Sequence, residues 1–384
     1  MPIMNFWETS VDYNKARKVL VIPNITNYRE IEKDSFVDVL FNHVNELKAY
    51  GDYFWYVVIP KGNPSAKLNT LDNIKQIEIP ISGDMMNQRC FPSEELVRVL
   101  KETDYDIIYS HLPDWNVVGR YKKTVATKII GYCHWWEMTH CNGVDNRPGK
   151  AKELWLPNEI LGVLQMDTCF INTQDQKNKV LEEAKLIFND DIIKKLDEKL
   201  CVWNLGISKD KIIDTPNKNK HNIIVFNHRT AGYKNYNKFV SYMEAYKKHR
   251  QDIKVWVPQY QHKDKKLPWF DTTKEASKQA YYEKLQLCKV GIQPLQTNYG
   301  WSVSATDCMM NGTPMIFHNS DCFKEIEPNG LFFNNQKELF VLLDKILDDD
   351  TYREERENMA IKRANELSNN DIKMFSILHK KLSE

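Results

Sequence analysis

No run of apolar residues in this 384-residue chain approaches the roughly 20 needed to cross a bilayer, which speaks against a helical membrane span. The opening MPIMNFWETSVDYNK lacks the charged-then-apolar pattern of a secretory signal, so a cytoplasmic protein is expected. The eight cysteines are scattered and include no C-x-x-C pair. In a reducing compartment they read as thiols, many of them buried. A G-x-G-x-x-G run is missing, which argues against a nicotinamide-type pyrophosphate loop. Repeats and low-complexity segments are absent too. What remains is a globular composition, 42% hydrophobic and 27% charged, long enough for two domains with a core each.

Short β-rich runs alternate with longer helical patterns. The strand candidates in the first half are 18–23, 53–60, 76–81, 106–111, 128–134 and 168–173, with helices over 34–49, 93–103 and 175–188. The second half offers 200–205, 222–228, 254–258, 290–295, 313–319 and 331–334, with helices over 235–250, 274–288, 303–311, 336–348 and 351–367. Such alternation predicts parallel sheets with crossover helices. A polar, Lys/Asn-rich stretch with a proline, 206–221, reads as a linker. The expected architecture is α/β, with two Rossmann-like, doubly wound domains facing across a cleft. Residues 1–206 form the first domain, 207–366 the second, and 367–384 a terminal helix returning to the first, with a helix break at 367–370. Ligands of such sheets sit beyond the carboxyl ends of the strands, so functional residues are sought just after strands.

The most informative stretch is VGIQPLQTNYGWSVSATDCMMNGTPMIFHNSDCFKEI, 290–326. A strand ends at Pro294, a loop with Gly300 follows, and a helix starts near Ser302. Its N-terminal N–H groups, near Trp301, Ser302 and Val303, suit a phosphate. Asp307 stands where a carboxylate accepts hydrogen bonds from a ribose diol. Gly312 closes the helix. This stretch resembles the signature of the GT-B glycosyltransferases of the large retaining group often called family 4. Gly300-Trp301-Ser302 takes the glycine-loop position, Asp307 that of the second glutamate, and Gly312-Thr313-Pro314 matches directly. The first glutamate of the pattern, which contacts the transferred sugar in the family, is Tyr299 here, and this leaves the donor sugar open.

A second stretch, NIIVFNHRTAGYKN (222–235), is similar to the family's strand ending in Gly-Arg with a lysine five residues later. The pair is Arg229 and Lys234, and His228 stands at the glycine. Cations there suit a leaving diphosphate, Arg as a fork and Lys as a point charge. An arginine and a lysine after a strand are also a common surface feature, and an aspartate in a helix is usually solvated. It is the joint order of the two stretches that carries weight.

The first half resembles the family in DIIYSHLPDW (106–115), KIIGYCHWWEM (128–138), MDTCFINTQDQKNKVLEE (166–183) and KLCVWNLGIS (199–208). The resemblance implies that His134 positions the transferred sugar, and His111 reads as a packing residue. Trp135 and Glu137 fall on the acceptor side, as do Asn24 and Asn27 in the loop that replaces the family's glycine-rich turn. Trp115, Trp135 and Trp136 suit either stacking on a sugar or base, or the core. Cys133, His134, His140 and Cys141 contain zinc-ligand types, at a spacing unlike known zinc sites.

The implied activity is retaining transfer from a nucleotide-diphosphate sugar, with no obligatory metal and no cofactor. No D-x-D pair stands at an expected strand end. The acceptor is a saccharide or glycoconjugate. An alternative is a modified base in DNA, as in phage-type base glucosyltransferases. A basic excess across 209–270 favours it, and the acidic first half weighs against it. A silent binding or scaffold protein on the same fold is the third reading, resting on Tyr299.

Overall fold

The computed structural model describes residues 15–25, 30–80, 93–111, 127–133, 136, 149–294 and 300–383. The first half runs β1 (Arg17–Ile22), α1 (Ser35–Leu47), β2 (Tyr53–Pro60), β3 (Ile74–Ile79), α2 (Ser93–Glu102), β4 (Ile107–Ser110), β5 (Lys128–Cys133), α3 (Gly149–Leu164), β6 (Thr168–Ile171), α4 (Gln174–Ala184), α5 (Asp190–Lys199) and β7 (Leu200–Val202). The strands form a sheet in the order β3-β2-β1-β4-β5-β6-β7, with every pairing parallel. Strands covered on both faces read as continuous apolar runs, and Val19 to Ile22 of β1 are fully buried.

The second half runs β8 (His221–Val225), α6 (Tyr236–His249), β9 (Lys254–Trp256), β10 (Phe270–Asp271), α7 (Lys278–Gln286), β11 (Cys288–Gln293), α8 (Val303–Met310), β12 (Met315–His318), α9 (Asp321–Ile326), β13 (Leu331–Phe333) and α10 (Gln336–Asp348). Its sheet order is β10-β9-β8-β11-β12-β13, again parallel throughout. Both sheets reverse direction once, between β1 and β4 in the first and between β8 and β11 in the second. These are the switch points at which parallel sheets open a crevice.

The run at 200–205 lies within the expected first domain, 1–206, and supplies edge strand β7 of the first sheet. The structure revises several expectations. Helices α3, α5 and α9 had not been expected. In α3 the signal is masked by Pro157 inside the helix. The stretch 206–221 is packed down: Ile207 is buried, Ile213 N–H donates to Met310 O at 3.0 Å, and Lys220 Nζ donates to the carbonyls of Cys288 and Gly312 at 3.0 Å each.

The expected break at 367–370 is absent, and one helix, α11 (Asp350–Ser383), runs through it. Ser368 meets its hydroxyl within the helix, donating to Asn365 O at 2.8 Å, and serine and asparagine weaken a helix without ending it. Packing holds the rest. Ala360, Ala364 and Leu367 lie in an apolar cluster of the second half, while Phe375 and Leu378 lie in the core of the first.

Candidate functional site

β8 delivers Asn227, His228 and Arg229 to the second switch point. Asn227 is fully buried, and its amide donates to Tyr281 Oη at 2.9 Å and to Ser304 O at 2.7 Å. Its main-chain carbonyl accepts from Gln259 Nε2 at 2.9 Å and Ser304 Oγ at 3.0 Å. One asparagine thereby fixes the end of β8 to α7 and α8. A turn over Gly232–Lys234 then leads to Asn235, in the left-handed region at φ 56°, and into α6.

Arg229 is exposed, and it shares a hydrogen bond with the Tyr233 side chain. Lys234 Nζ lies 5.1 Å above the Tyr233 ring. Burial, and then the neighbouring Arg229, pull Lys234 down to about 7. Two cations held together this way gain from an anion between them.

Across the crevice, Ser302 caps α8. Its Oγ accepts from Ala305 N–H at 3.3 Å and donates to Oε1 of the fully buried Gln293 at 2.7 Å, tying the helix start to the end of β11. Val303, the first helical residue, is 45% exposed. Trp301 belongs to the same buried apolar cluster as Val225, Trp256 and Ala305 with 7% exposure, so its side chain belongs to the core while its indole N–H has no partner. Gly300 is buried beside it, and Tyr299 lies outside the described residues.

Asp307 is raised to about 6 by burial, which Lys278 and the Tyr281 hydroxyl oppose. Tyr281 Oη donates to Asp307 Oδ2 at 3.3 Å, so Asn227, Tyr281 and Asp307 form one chain of contacts across the switch point. At the far end of α8, Gly312 has φ +64°. Its N–H donates to Met309 O at 3.1 Å and Thr313 N–H to Cys308 O at 2.9 Å, a Schellman closure.

On the first half, Asn24 is buried two residues beyond β1. Asn27, His134, Trp135, Glu137 and Trp115 lie outside the described residues, as do His140 and Cys141 of the zinc reading. Trp136 is core, its indole N–H donating to Cys133 O at 2.9 Å. His111 is buried among the rings of Phe36, Tyr109 and Tyr132, a packing position. Among the described residues no group of three or more His, Cys, Asp or Glu is placed to hold a metal, and no helix is long and apolar enough to cross a membrane.

Two contacts that sequence reasoning missed join the halves. Asp38 of α1 pairs with Lys278 of α7 at 2.8 Å and also with Lys67. Burial opposes ionisation of Asp38, but the two lysines outweigh it and hold the carboxyl at about 2. Glu325 of α9 accepts N–H groups at the start of α4, from Gln174 at 2.8 Å and Asp175 at 2.9 Å. No local pattern marks either pair, since each needs two distant segments to meet.

Some of the cations across 209–270 are held by partners. Arg250 pairs with Asp252 and Asp348, Lys265 with Glu244, and Lys220 with Glu357. Lys247 donates to the carbonyls of Gln251 and Ile253.

No protein-family profile and no curated protein sequence matches the chain. Solved structures do. Sucrose-phosphate synthase from Thermosynechococcus elongatus is 12% identical, with 95% of this chain and 99% of that one covered, at a TM-score of 0.72. The trehalose-6-phosphate synthase OtsA is 13% identical, with 96% and 99% covered, at 0.64. HepE from Anabaena, solved in complex with UDP and glucose, is 11% identical, with 96% and 100% covered, at 0.59. At these identities the likeness is one of fold, and this chain therefore has the GT-B fold, two parallel doubly wound sheets whose strand orders both reverse at a switch point.

Proposed function

We propose that this protein is a glycosyltransferase that moves a sugar from a nucleotide-diphosphate sugar to a hydroxyl of a saccharide or glycoconjugate, with retention and without an obligatory metal. The observation that carries the reading is the second switch point. Arg229 and Lys234 follow one of its strands, and a serine-capped helix N-terminus with Asp307 follows the other. Structural relatives support the saccharide acceptor by their names, sucrose-phosphate synthase and trehalose-6-phosphate synthase. The latter has been studied as an enzyme of glycosyl transfer with retention.

In this mechanism the bond from the anomeric carbon to the diphosphate oxygen breaks as the acceptor oxygen bonds to that carbon. The acceptor proton passes to the departing phosphate. Negative charge grows on the diphosphate, where the Arg229 fork, the Lys234 ammonium and the first N–H groups of α8 stabilise it. Those groups supply the positive charge that a metal provides elsewhere. Asp307 accepts from the ribose hydroxyls, and Gly300 to Val303 line the phosphate side. His134 positions the sugar. Asn24, Asn27, Trp135 and Glu137 are the acceptor-side residues of this reading. Closure of the two halves excludes the water that would hydrolyse the donor.

The test is product analysis. Incubation with a donor and a panel of saccharide acceptors should yield a glycoside whose anomeric proton coupling matches that of the donor. An inverted product would overturn retention. Transfer to DNA, with salt-sensitive retention of the protein on it, would replace the saccharide reading.

A further inference from the structure

Between Asn227 and Arg229 stands a residue that the proposed chemistry does not use. His228 is 1% exposed, and neither Nδ1 nor Nε2 has a hydrogen-bond partner. The described contact of its ring is apolar, an edge-to-face approach to Phe226 at 5.0 Å. Buried polar atoms in native proteins are nearly always partnered, and those without a protein partner call for an explanation such as a bound water or ion or a catalytic role. Two further unpartnered polar atoms sit on the segments flanking this switch point: Asn227 Oδ1 and Trp301 Nε1. The pattern this stretch resembles has glycine at the position of His228, so an imidazole stands where that pattern carries no side chain.

We propose that the His228 imidazole is a hydrogen-bonding contact of the bound donor diphosphate, acting beside the Arg229–Lys234 cations. This rests on the glycosyltransferase reading above and adds a residue to its donor site. Burial, and then the Lys234 ammonium, hold His228 well below the ordinary histidine value. The ring is therefore neutral near pH 7, with one N–H donor and one acceptor nitrogen. Its donor suits a phosphate oxygen, and its acceptor nitrogen suits a sugar hydroxyl or the Lys234 ammonium. A neutral donor complements Arg229 and Lys234 without adding a third positive charge. The ring is closed off in this arrangement, so a ligand reaches it only when the surrounding segments part.

Inorganic pyrophosphate is the probe, since it presents the diphosphate without commitment to a base or sugar. Protein labelled with ¹⁵N-histidine is titrated with it and followed by long-range ¹H–¹⁵N correlation, the His228 signals being assigned by their loss in His228→Gly. The expected result is a saturable shift of the His228 nitrogens to one fixed tautomer. His228→Gly should weaken pyrophosphate binding on the order of tenfold, the loss of one hydrogen bond to a charged group, and His228→Asn should recover part of it. If pyrophosphate binds, and Arg229→Ala weakens it, while the His228 nitrogens stay unmoved and His228→Gly binds equally well, the inference falls and the diphosphate site stands. If pyrophosphate fails to bind the parent protein, the diphosphate site itself falls, and this inference with it.

Discussion

Glu325 and Gln174 are 151 residues apart in the chain and meet across the two halves, the Glu325 carboxylate accepting the Gln174 N–H at 2.8 Å. The same carboxylate takes the next N–H, of Asp175, so a side chain of the second half caps the helix that follows β6 in the first. Arg363 of α11 fixes the far side by donating to the carbonyls of Glu325 and Ile326 at 2.8 Å each. A carboxylate at a helix N-terminus gains from both hydrogen bonds and the helix dipole. Glu325→Ala is therefore expected to cost about 1 to 2 kcal/mol of stability, as cap removals do. It should also raise the radius of gyration of the unliganded protein in X-ray scattering. An unchanged radius would mean that the cap does not hold the halves together.

Lys234 makes donor binding depend on pH. Burial and Arg229 depress its pKa to about 7 from 10.5. Between those values the unfolded chain holds more protons than the folded one, so this residue makes stability rise with pH across that window. A bound diphosphate restores the charge, so binding at pH 8 to 9 should take up a proton, and affinity should fall as pH rises above 7. Calorimetry in buffers of different ionisation enthalpy reads the uptake directly, and Lys234→Met should abolish it.

Nearly all strands were legible in the sequence, because buried parallel strands are continuous apolar runs and the turns between them are polar. The places of Arg229, Lys234 and Asp307 beside strand and helix ends, and the helix closure at Gly312, were also legible, because each stands at a fixed offset from such an end. Asn227 and Tyr281 were not, since an asparagine after a strand and a tyrosine in a helix acquire their role only when β8, α7 and α8 meet. The terminal helix was broken in error at Ser368-Asn369-Asn370, where the two cores it bridges outweigh weak local propensity.

His43 gives the first half an acid sensitivity. It is buried between Trp203, stacked at 5.1 Å, and the edges of Tyr132 and Phe375, and it shares a 2.9 Å hydrogen bond with Tyr109. Burial lowers it to about 3 from 6.5. The unfolded state then binds the extra proton between those values, so stability should fall as pH drops below about 6.5, by up to about 1.4 kcal/mol per pH unit. Urea unfolding from pH 7 to 5 measures the slope, which His43→Gln should flatten.

Gly312 should be irreplaceable. Its φ of +64° disfavours any side chain, and an added Cβ would sit 3.2 Å from Ile213 Cδ1. Gly312→Ala is expected to cost about 1 to 2 kcal/mol through the left-handed backbone alone, read as a lower denaturation midpoint. An unchanged midpoint would mean that the helix closes another way.

The most direct measurement is nucleotide release from a panel of UDP-, GDP-, ADP- and dTDP-sugars, with and without EDTA, for the parent protein, Arg229→Ala and Asp307→Ala. One donor should be hydrolysed slowly by the parent with EDTA present. Arg229→Ala should lower the rate on the order of a hundredfold, as removal of one charge-stabilising donor does, and Asp307→Ala should abolish saturation at the same donor concentration. If no donor is turned over or bound by any form, the substitution at Tyr299 has silenced the site, and the protein is a binding or scaffold member of its fold.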